Sequence, residues 1–404
     1  MEDPGKPLSY YQPGMIPQEE IIDREKKGKQ TLIGLLKESD SHETRIALTP
    51  QGVDLLVSQG HRVLMEQGAG EGARFSDHDY AEAGAEIQEN KSRIFEAEVL
   101  LKISPLTGDE IRNLRPGKTV ISSLQLATRK ENYFRELIRH KVTAIAFELV
   151  RDELMEFPVF RSMCEISGLL AVNIGASLMS REKIGKGILL GGITGITPAE
   201  VVILGAGVAG EYAARAALGM GATVKVFDHS ITALRALKHQ VGREIFTSVL
   251  HPPVLEKTLK SADLVISTLQ RLHQESFFLV PEEMVVGMKE GAIVIDIHVD
   301  QGSSFETGVL SSAADPVYIR HQVIHYMVPN LPTLAPRTAS IALSNFFLPM
   351  LLNQGRSGGI QQMIRDNWGV RQGVYLYNGV LTHAMIGDQF GMPSKDIDLL
   401  LAAF

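Results

Sequence analysis

One cysteine, Cys164, stands in a chain of 404 residues. A lone thiol makes no intramolecular disulfide, and a chain of this size that does without disulfides points to a reducing compartment. Long runs of Lys or Arg are also absent and the net charge is -7, so the sequence carries no basic footprint for nucleic acid. The most apolar late stretch, Ala339 to Leu352, falls short of the roughly 18 apolar residues of a membrane span. It is broken by Ser340, Ser344, Asn345 and Pro349. Met1 to Ile16 lacks the basic and then apolar order of a signal peptide. Beyond the neighbourhood of His298, the histidines do not gather with Cys or carboxylates at ligand spacing, so a metal has no support. No solenoid-type repeat occurs. These absences together predict a cytoplasmic protein without membrane insertion, nucleic-acid partner or metal.

What the chain does have is the balance of a globular enzyme, 44% hydrophobic and 22% charged residues, at a length that suits two domains. Residues 1–30, with Pro4, Pro7, Pro13 and Pro17 and then a charged run from Asp23 to Lys29, read as an extension. Regular alternation begins with an apolar strand at Thr31 to Leu36. A helix follows at about 50 to 59, with Thr49 as its cap, Pro50 at its first position and Gly60 past its end. Strands at Arg62 to Glu66, Val99 to Ile103, Val120 to Leu124 and Thr143 to Val150 continue the series. A helix is predicted after Ser76, and Thr128 to Glu131 has the spacing of a capping box for a helix to about His140.

Repeated βα alternation predicts parallel strands joined by right-handed crossovers, hence doubly wound sheets. The chain turns helical between Ser162 and Ser180, is glycine-rich from Gly185 to Gly195, and begins a second βα series at Val201. After about Pro336 it is helical again, with no sheet of its own. The expected fold is therefore α/β with two Rossmann-like doubly wound domains. In this division a discontinuous substrate domain, 31–158 and 336–404, holds an inserted nucleotide-binding domain, 159–335.

The sharpest motif is Gly205-Ala206-Gly207-Val208-Ala209-Gly210, directly after a strand at Glu200 to Leu204 and opening an Ala-rich helix. Gly205 suits a tight turn, Gly207 a close approach of pyrophosphate, and Gly210 close packing of helix on sheet, with phosphates at the helix N-terminus. The next strand, Thr223 to Phe227, leads to Asp228, where a carboxylate accepts from ribose hydroxyls and repels a 2′-phosphate. NAD is the predicted cofactor.

Around this unit the chain resembles the family of alanine dehydrogenase and the NAD-binding domain of proton-translocating transhydrogenase. The resemblance covers nearly everything after residue 30 and lies closer to the dehydrogenases. Its signposts are Glu43-Thr44-Arg45-Ile46-Ala47-Leu48-Thr49-Pro50, Glu66-Gln67-Gly68-Ala69-Gly70, Phe75-Ser76-Asp77, Leu100-Leu101-Lys102, Asp300-Gln301-Gly302 and Pro336-Arg337-Thr338. The resemblance implies that Arg45 and Lys102 hold a substrate carboxylate, that Asp300 handles protons, and that Asn330 lines the nicotinamide site. It further implies a small amino acid or keto acid as substrate, alanine first, and a homo-oligomer, hexamer or dimer.

Several positions depart from the family pattern. Gln125 stands where the dehydrogenases carry a catalytic histidine, and a carboxamide hydrogen-bonds a keto oxygen but exchanges no proton near neutral pH. Cys164 replaces a cofactor-contacting serine, Ala233 an adenosine-side basic residue, and Gln270 to Phe278 the usual small, glycine- and proline-rich loop. Asp296, His298 and Asp300 are expected to alternate along one strand, which would put His298 near the nicotinamide as a substitute imidazole. Two alternatives to alanine oxidation stand beside it. One is the NAD(H)-binding component of a transhydrogenase, which Met163 opposes by standing where that component has a glutamine. The other is an NAD-binding pseudoenzyme.

Overall fold

A computed structural model describes residues 29–182, 184–269 and 279–402. The expected extension falls almost entirely, and the segment Gln270 to Phe278 entirely, outside the described residues. Two sheets organise the rest. The first is built from β1 (Leu32–Leu35), β2 (Arg62–Glu66), β3 (Glu86–Gln88), β4 (Val99–Leu101), β5 (Thr119–Ser122) and β6 (Thr143–Ala146). The second contains β7 (Glu200–Leu204), β8 (Thr223–Asp228), β9 (Phe246–Val249), β10 (Leu264–Ser267), β11 (Ile293–Asp296), β12 (Val317–Arg320) and β13 (Val323–Tyr326). Late in the chain, β14 (Val374–Tyr377) and β15 (Val380–Leu381) return to the first sheet.

The strand orders are β15-β14-β6-β5-β4-β1-β2-β3 and β12-β13-β11-β10-β7-β8-β9. Strands β1 to β6 pair in parallel, as do β7 to β11 with β13, while β12, β14 and β15 add antiparallel edges. Each sheet therefore runs outward in one direction from its first strand and then doubles back. This creates one switch point between β1 and β4 and another between β7 and β10, where α/β proteins bind ligands beyond the carboxyl ends of the strands. Val201 to Leu204 are fully buried aliphatics, as a parallel strand covered on both faces requires.

Three local expectations are corrected. The edge strand β3 and the β14–β15 hairpin carry no strong alternation and escaped the sequence reading. The helix Glu131–Arg139 starts at Lys130 without a side-chain cap, because the Thr128 hydroxyl donates instead to the Gln125 carbonyl in a 3-10 turn at Leu126–Thr128. β11 stops at Asp296, and Val299–Gln301 forms a 3-10 turn, so Asp296, His298 and Asp300 do not alternate along one strand. By contrast, Thr49 caps the helix Pro50–Ser58 by accepting from the Gly52 amide, and Gly60 follows at φ 89°.

One helix among the described residues, Pro158–Ser180, is long and apolar enough to cross a membrane by length and composition. It packs so closely on the helix Val208–Gly219 that a Cβ on Gly168 would lie 2.3 Å from the Ala209 carbonyl oxygen. Cys164, Ala171 and Val172 on this helix belong to the core of the second sheet.

Candidate active site

At the second switch point the glycine turn is laid out as its sequence implies. Gly205 sits at φ 111°, and a side chain there would run into Thr268 Oγ1 at 2.4 Å. A Cβ on Gly210 would lie 2.0 Å from the Gly205 carbonyl oxygen, whereas one on Gly207 would meet nothing within 4 Å. Gly207 is thus the exposed member of the three, leaving room for a diphosphate above the first turn of the helix Val208–Gly219. Asp228 is buried; one carboxylate oxygen accepts from the Ala206 amide at 2.7 Å and the other from the Ser230 amide at 2.7 Å. It ties the end of β8 to the glycine turn. Ala233 lies in the first turn of the helix Ile231–Val241, its amide capped by the Ser230 hydroxyl.

The first switch point brings Arg45, from the loop after β1, and Lys102, immediately after β4, to the same end of the first sheet. Both are buried and already paired. Arg45 donates from Nε and Nη2 to the two oxygens of Glu43, at 2.7 and 2.6 Å, and its Nη1 lies 3.3 Å from the Met163 sulfur. Lys102 Nζ donates to both Glu110 oxygens, at 2.9 and 2.7 Å, and approaches the Ser39 hydroxyl at 3.2 Å. Glu110 also accepts from Lys91 at 2.7 Å and closes a capping box with Thr107. Glu38, next to this pair, accepts from the Ile103 and Ser104 amides at 2.6 and 3.1 Å. Burial pushes its carboxyl up to about 7, with Lys102 pulling the other way.

Gln125 is exposed at the turn after β5, with a left-handed backbone (φ 47°, ψ 50°) that a residue with a side chain rarely adopts. Glu148 holds this turn from beneath. Its Oε1 accepts from the Leu124 amide at 2.6 Å, while its Oε2 is buried with no hydrogen-bond partner among the described residues. Burial raises the Glu148 carboxyl above its ordinary value.

Asn330 likewise has a left-handed backbone, in the turn after β13, and its carbonyl accepts from the Thr333 amide and hydroxyl. The Thr333 carbonyl in turn accepts from the Thr44 hydroxyl at 2.8 Å, so the neighbour of Arg45 is pinned to the Asn330 turn across the two sheets. Asp300 is exposed beyond β11, and His298 is half-buried two residues before it. Asp296 is buried and braces this loop, accepting from the His298 amide, the Ser303 hydroxyl and the Ser304 amide. Cys164 is buried, and burial pushes its thiol up to about 12, which makes it a packed core group.

The structure therefore gathers Gly205, Gly207, Gly210 and Asp228 at one switch point and Arg45 and Lys102 at the other, with the Asn330 turn clamped to the Arg45 loop. The sequence reading gave no role to Glu43, although it stands in the first signpost, and did not single out Glu38, Glu110 or Glu148; the Thr107-to-Glu110 capping-box spacing was the signal that could have found Glu110.

Comparison with known proteins identifies the family. The alanine dehydrogenase/PNT N-terminal domain family matches residues 34–167, and the alanine dehydrogenase/PNT C-terminal domain family matches residues 171–384. The alanine dehydrogenase of Staphylococcus saprophyticus is 36% identical over 371 residues, covering 92% of this chain and 100% of the relative. That of Bacillus subtilis is 37% identical over 362 residues, covering 89% and 95%. A solved L-alanine dehydrogenase superposes with a TM-score of 0.82 at 33% identity, over 89% of this chain and 99% of the other. A transhydrogenase from Sinorhizobium meliloti shares the fold, with a TM-score of 0.75 at 24% identity over 88% and 99%.

Proposed function

The chain belongs to the alanine dehydrogenase/PNT family, and on that premise we propose that it is an NAD-dependent oxidoreductase that reversibly oxidises L-alanine to pyruvate and ammonium. The observation that carries this reading is the pairing of two switch points, a dinucleotide turn with its ribose acid and a crevice holding buried Arg45 and Lys102, linked through Thr44 and Thr333. The similarity to alanine dehydrogenases runs through both sheets.

The roles divide by chemistry. Arg45 presents Nη1, its other donors being held by Glu43, and Lys102 adds a second cation for the substrate carboxylate once the Ser39 hydroxyl is exchanged. Two cations orient the substrate so that Cα faces the nicotinamide, and such positioning supplies much of the rate. The Gln125 carboxamide donates to the keto or imino group and polarises it. Asp300, exposed beside the cofactor end of β11, passes protons to and from water. Gly207 and Asp228 seat NAD, which supplies the hydride acceptor when bound. The homo-oligomer implied by the resemblance and the cytoplasmic location expected from the sequence belong to the same reading.

Initial rates with L-alanine and NAD, and with pyruvate, ammonium and NADH, test it directly. Turnover in both directions supports the proposal. The absence of NADH formation with alanine and with a panel of other amino acids would sink it and leave an NAD-binding pseudoenzyme.

A further inference from the structure

We infer that His298 is the proton acceptor of the reaction proposed above, an inference that rests on that reading. Oxidation of an amino acid cannot start from its ammonium form. One proton must leave nitrogen before the lone pair can expel hydride from Cα. Gln125 has no proton to exchange at neutral pH. Glu38 has both oxygens on backbone amides, Glu148 has one oxygen on the Leu124 amide and lies beneath the Gln125 turn of the first sheet, Lys102 is locked to Glu110, and the Cys164 thiol is buried in the core. His325 is bonded at both ring nitrogens, to Thr307 and to the Val323 carbonyl. His61 lies at the other end of β2, against Thr31 and Gly355.

His298 is placed differently. It lies two residues past β11, with the backbone of Thr268, just past β10, against its ring. The Thr268 hydroxyl donates to the Leu204 carbonyl and is the atom that a side chain on Gly205 would strike. The ring is thus one residue removed from the glycine turn, at the switch point itself. Its main chain is fixed by the amide's bond to Asp296 at 3.1 Å. Its Nδ1 is buried and has no hydrogen-bond partner among the described residues. A buried nitrogen left unpaired costs free energy, and its place at the switch point, rather than the missing bond alone, is what distinguishes His298 from the other unpaired groups such as His383. The charged groups around it are the Asp300 carboxylate, on the turn that follows, and Asp296 beneath its own amide; Thr268 contributes only backbone. Burial holds the imidazole below its ordinary value while Asp300 opposes the effect, so at neutral pH the ring is uncharged and ready to accept.

The step balances as follows. The substrate ammonium gives one proton to the imidazole. The nitrogen lone pair then closes the C=N bond as the Cα–H bond breaks with its electron pair, for which NAD, when bound at the glycine turn, would supply the hydride acceptor. The imidazolium returns its proton to water through its neighbour Asp300, which keeps the exchange role proposed above.

The test uses the full chain. His298→Gln is expected to lose about 100-fold or more in kcat for alanine oxidation, within the range of general base catalysis. It is also expected to remove the acid limb of the kcat/KM profile while leaving NADH affinity, read by fluorescence titration, within about twofold. Free imidazole should restore part of the rate of His298→Ala. A kcat within about threefold of the parent with the acid limb retained would overturn the assignment. A second readout is independent of turnover: the His298 imidazole resonance, identified by its loss in His298→Gln, is followed by NMR titration of the NADH complex with and without pyruvate. A resonance and titration midpoint that pyruvate leaves unmoved would also overturn it. An enzyme inactive with every amino acid would instead refute the proposed function, and the NMR arm would still decide whether His298 meets a keto acid.

Discussion

Lys102 and Glu110 bury one ion pair in which both carboxylate oxygens grip a single ammonium, at 2.9 and 2.7 Å, with the lysine side chain only 1% exposed. Glu110 serves Lys91 and the Thr107 cap as well, so the two partners are not equivalent.

Replacing one partner of a buried pair leaves the other charge uncompensated, at a cost of about 3 to 5 kcal/mol. Glu110→Gln strips Lys102 and Lys91 together and is expected to show the larger loss in urea unfolding. Lys102→Met leaves Glu110 its bond to Lys91, so its stability loss should be smaller while its alanine KM rises far more. The reverse ranking in stability would show that Lys102, not Glu110, is the hub.

Two glycines of one motif are expected to fail in different ways. Gly210→Ala must push a Cβ into the Gly205 carbonyl, found 2.0 Å away, and should destabilise the fold by on the order of 3 kcal/mol. Gly207→Ala has open space around it and should unfold like the parent, yet bind NADH at least about tenfold more weakly by crowding the diphosphate. Calorimetry and fluorescence titration separate the two effects.

The left-handed backbone at Gln125 predicts a trade of stability against activity. Gln125→Gly relieves the steric cost and should raise stability by up to about 1 kcal/mol, while kcat falls because the polarising carboxamide is gone. Equal or lower stability in thermal unfolding would mean that the Gln125 side chain itself holds the turn.

Glu38 predicts a pH effect whose sign is fixed. Its carboxyl is held at about 7 in the fold against an ordinary 4.5, so between those values the native state binds more protons than the unfolded chain. Stability contributed by Glu38 is therefore present at low pH and declines as pH rises from about 4.5 to about 7, by at most about 3 kcal/mol. Glu38→Gln should flatten this decline in urea unfolding measured across that window; an unchanged pH profile would remove Glu38 from it.

The alternation of strand and helix, the glycine turn with Asp228, and the cap at Thr49 were legible because each depends on residues close together in the chain. A left-handed turn, a capping hydroxyl and a 3.6-residue period are local physics. The capping box expected at Thr128 failed for a reason equally local but invisible in composition, since the backbone at Gln125 turned the hydroxyl inward. β3 and the β14–β15 hairpin were hidden because short edge strands owe their existence to the sheet they join.

The sequence by itself determined which glycine turn the chain builds, and the resemblance singled out Arg45 and Lys102 as the candidate cations. Only the tertiary structure decided how those cations are held. Arg45 and Glu43, two residues apart, and Lys102 and Glu110, eight apart, look like ordinary surface charges until the folded first sheet buries them at its switch point. Burial removes water as a competing partner, so each cation must find a carboxylate and each acid must find an amide or an ammonium. That demand arises from the folded surroundings, which no spacing in the chain encodes. It is also what leaves one nitrogen of His298 without a protein partner among the described residues.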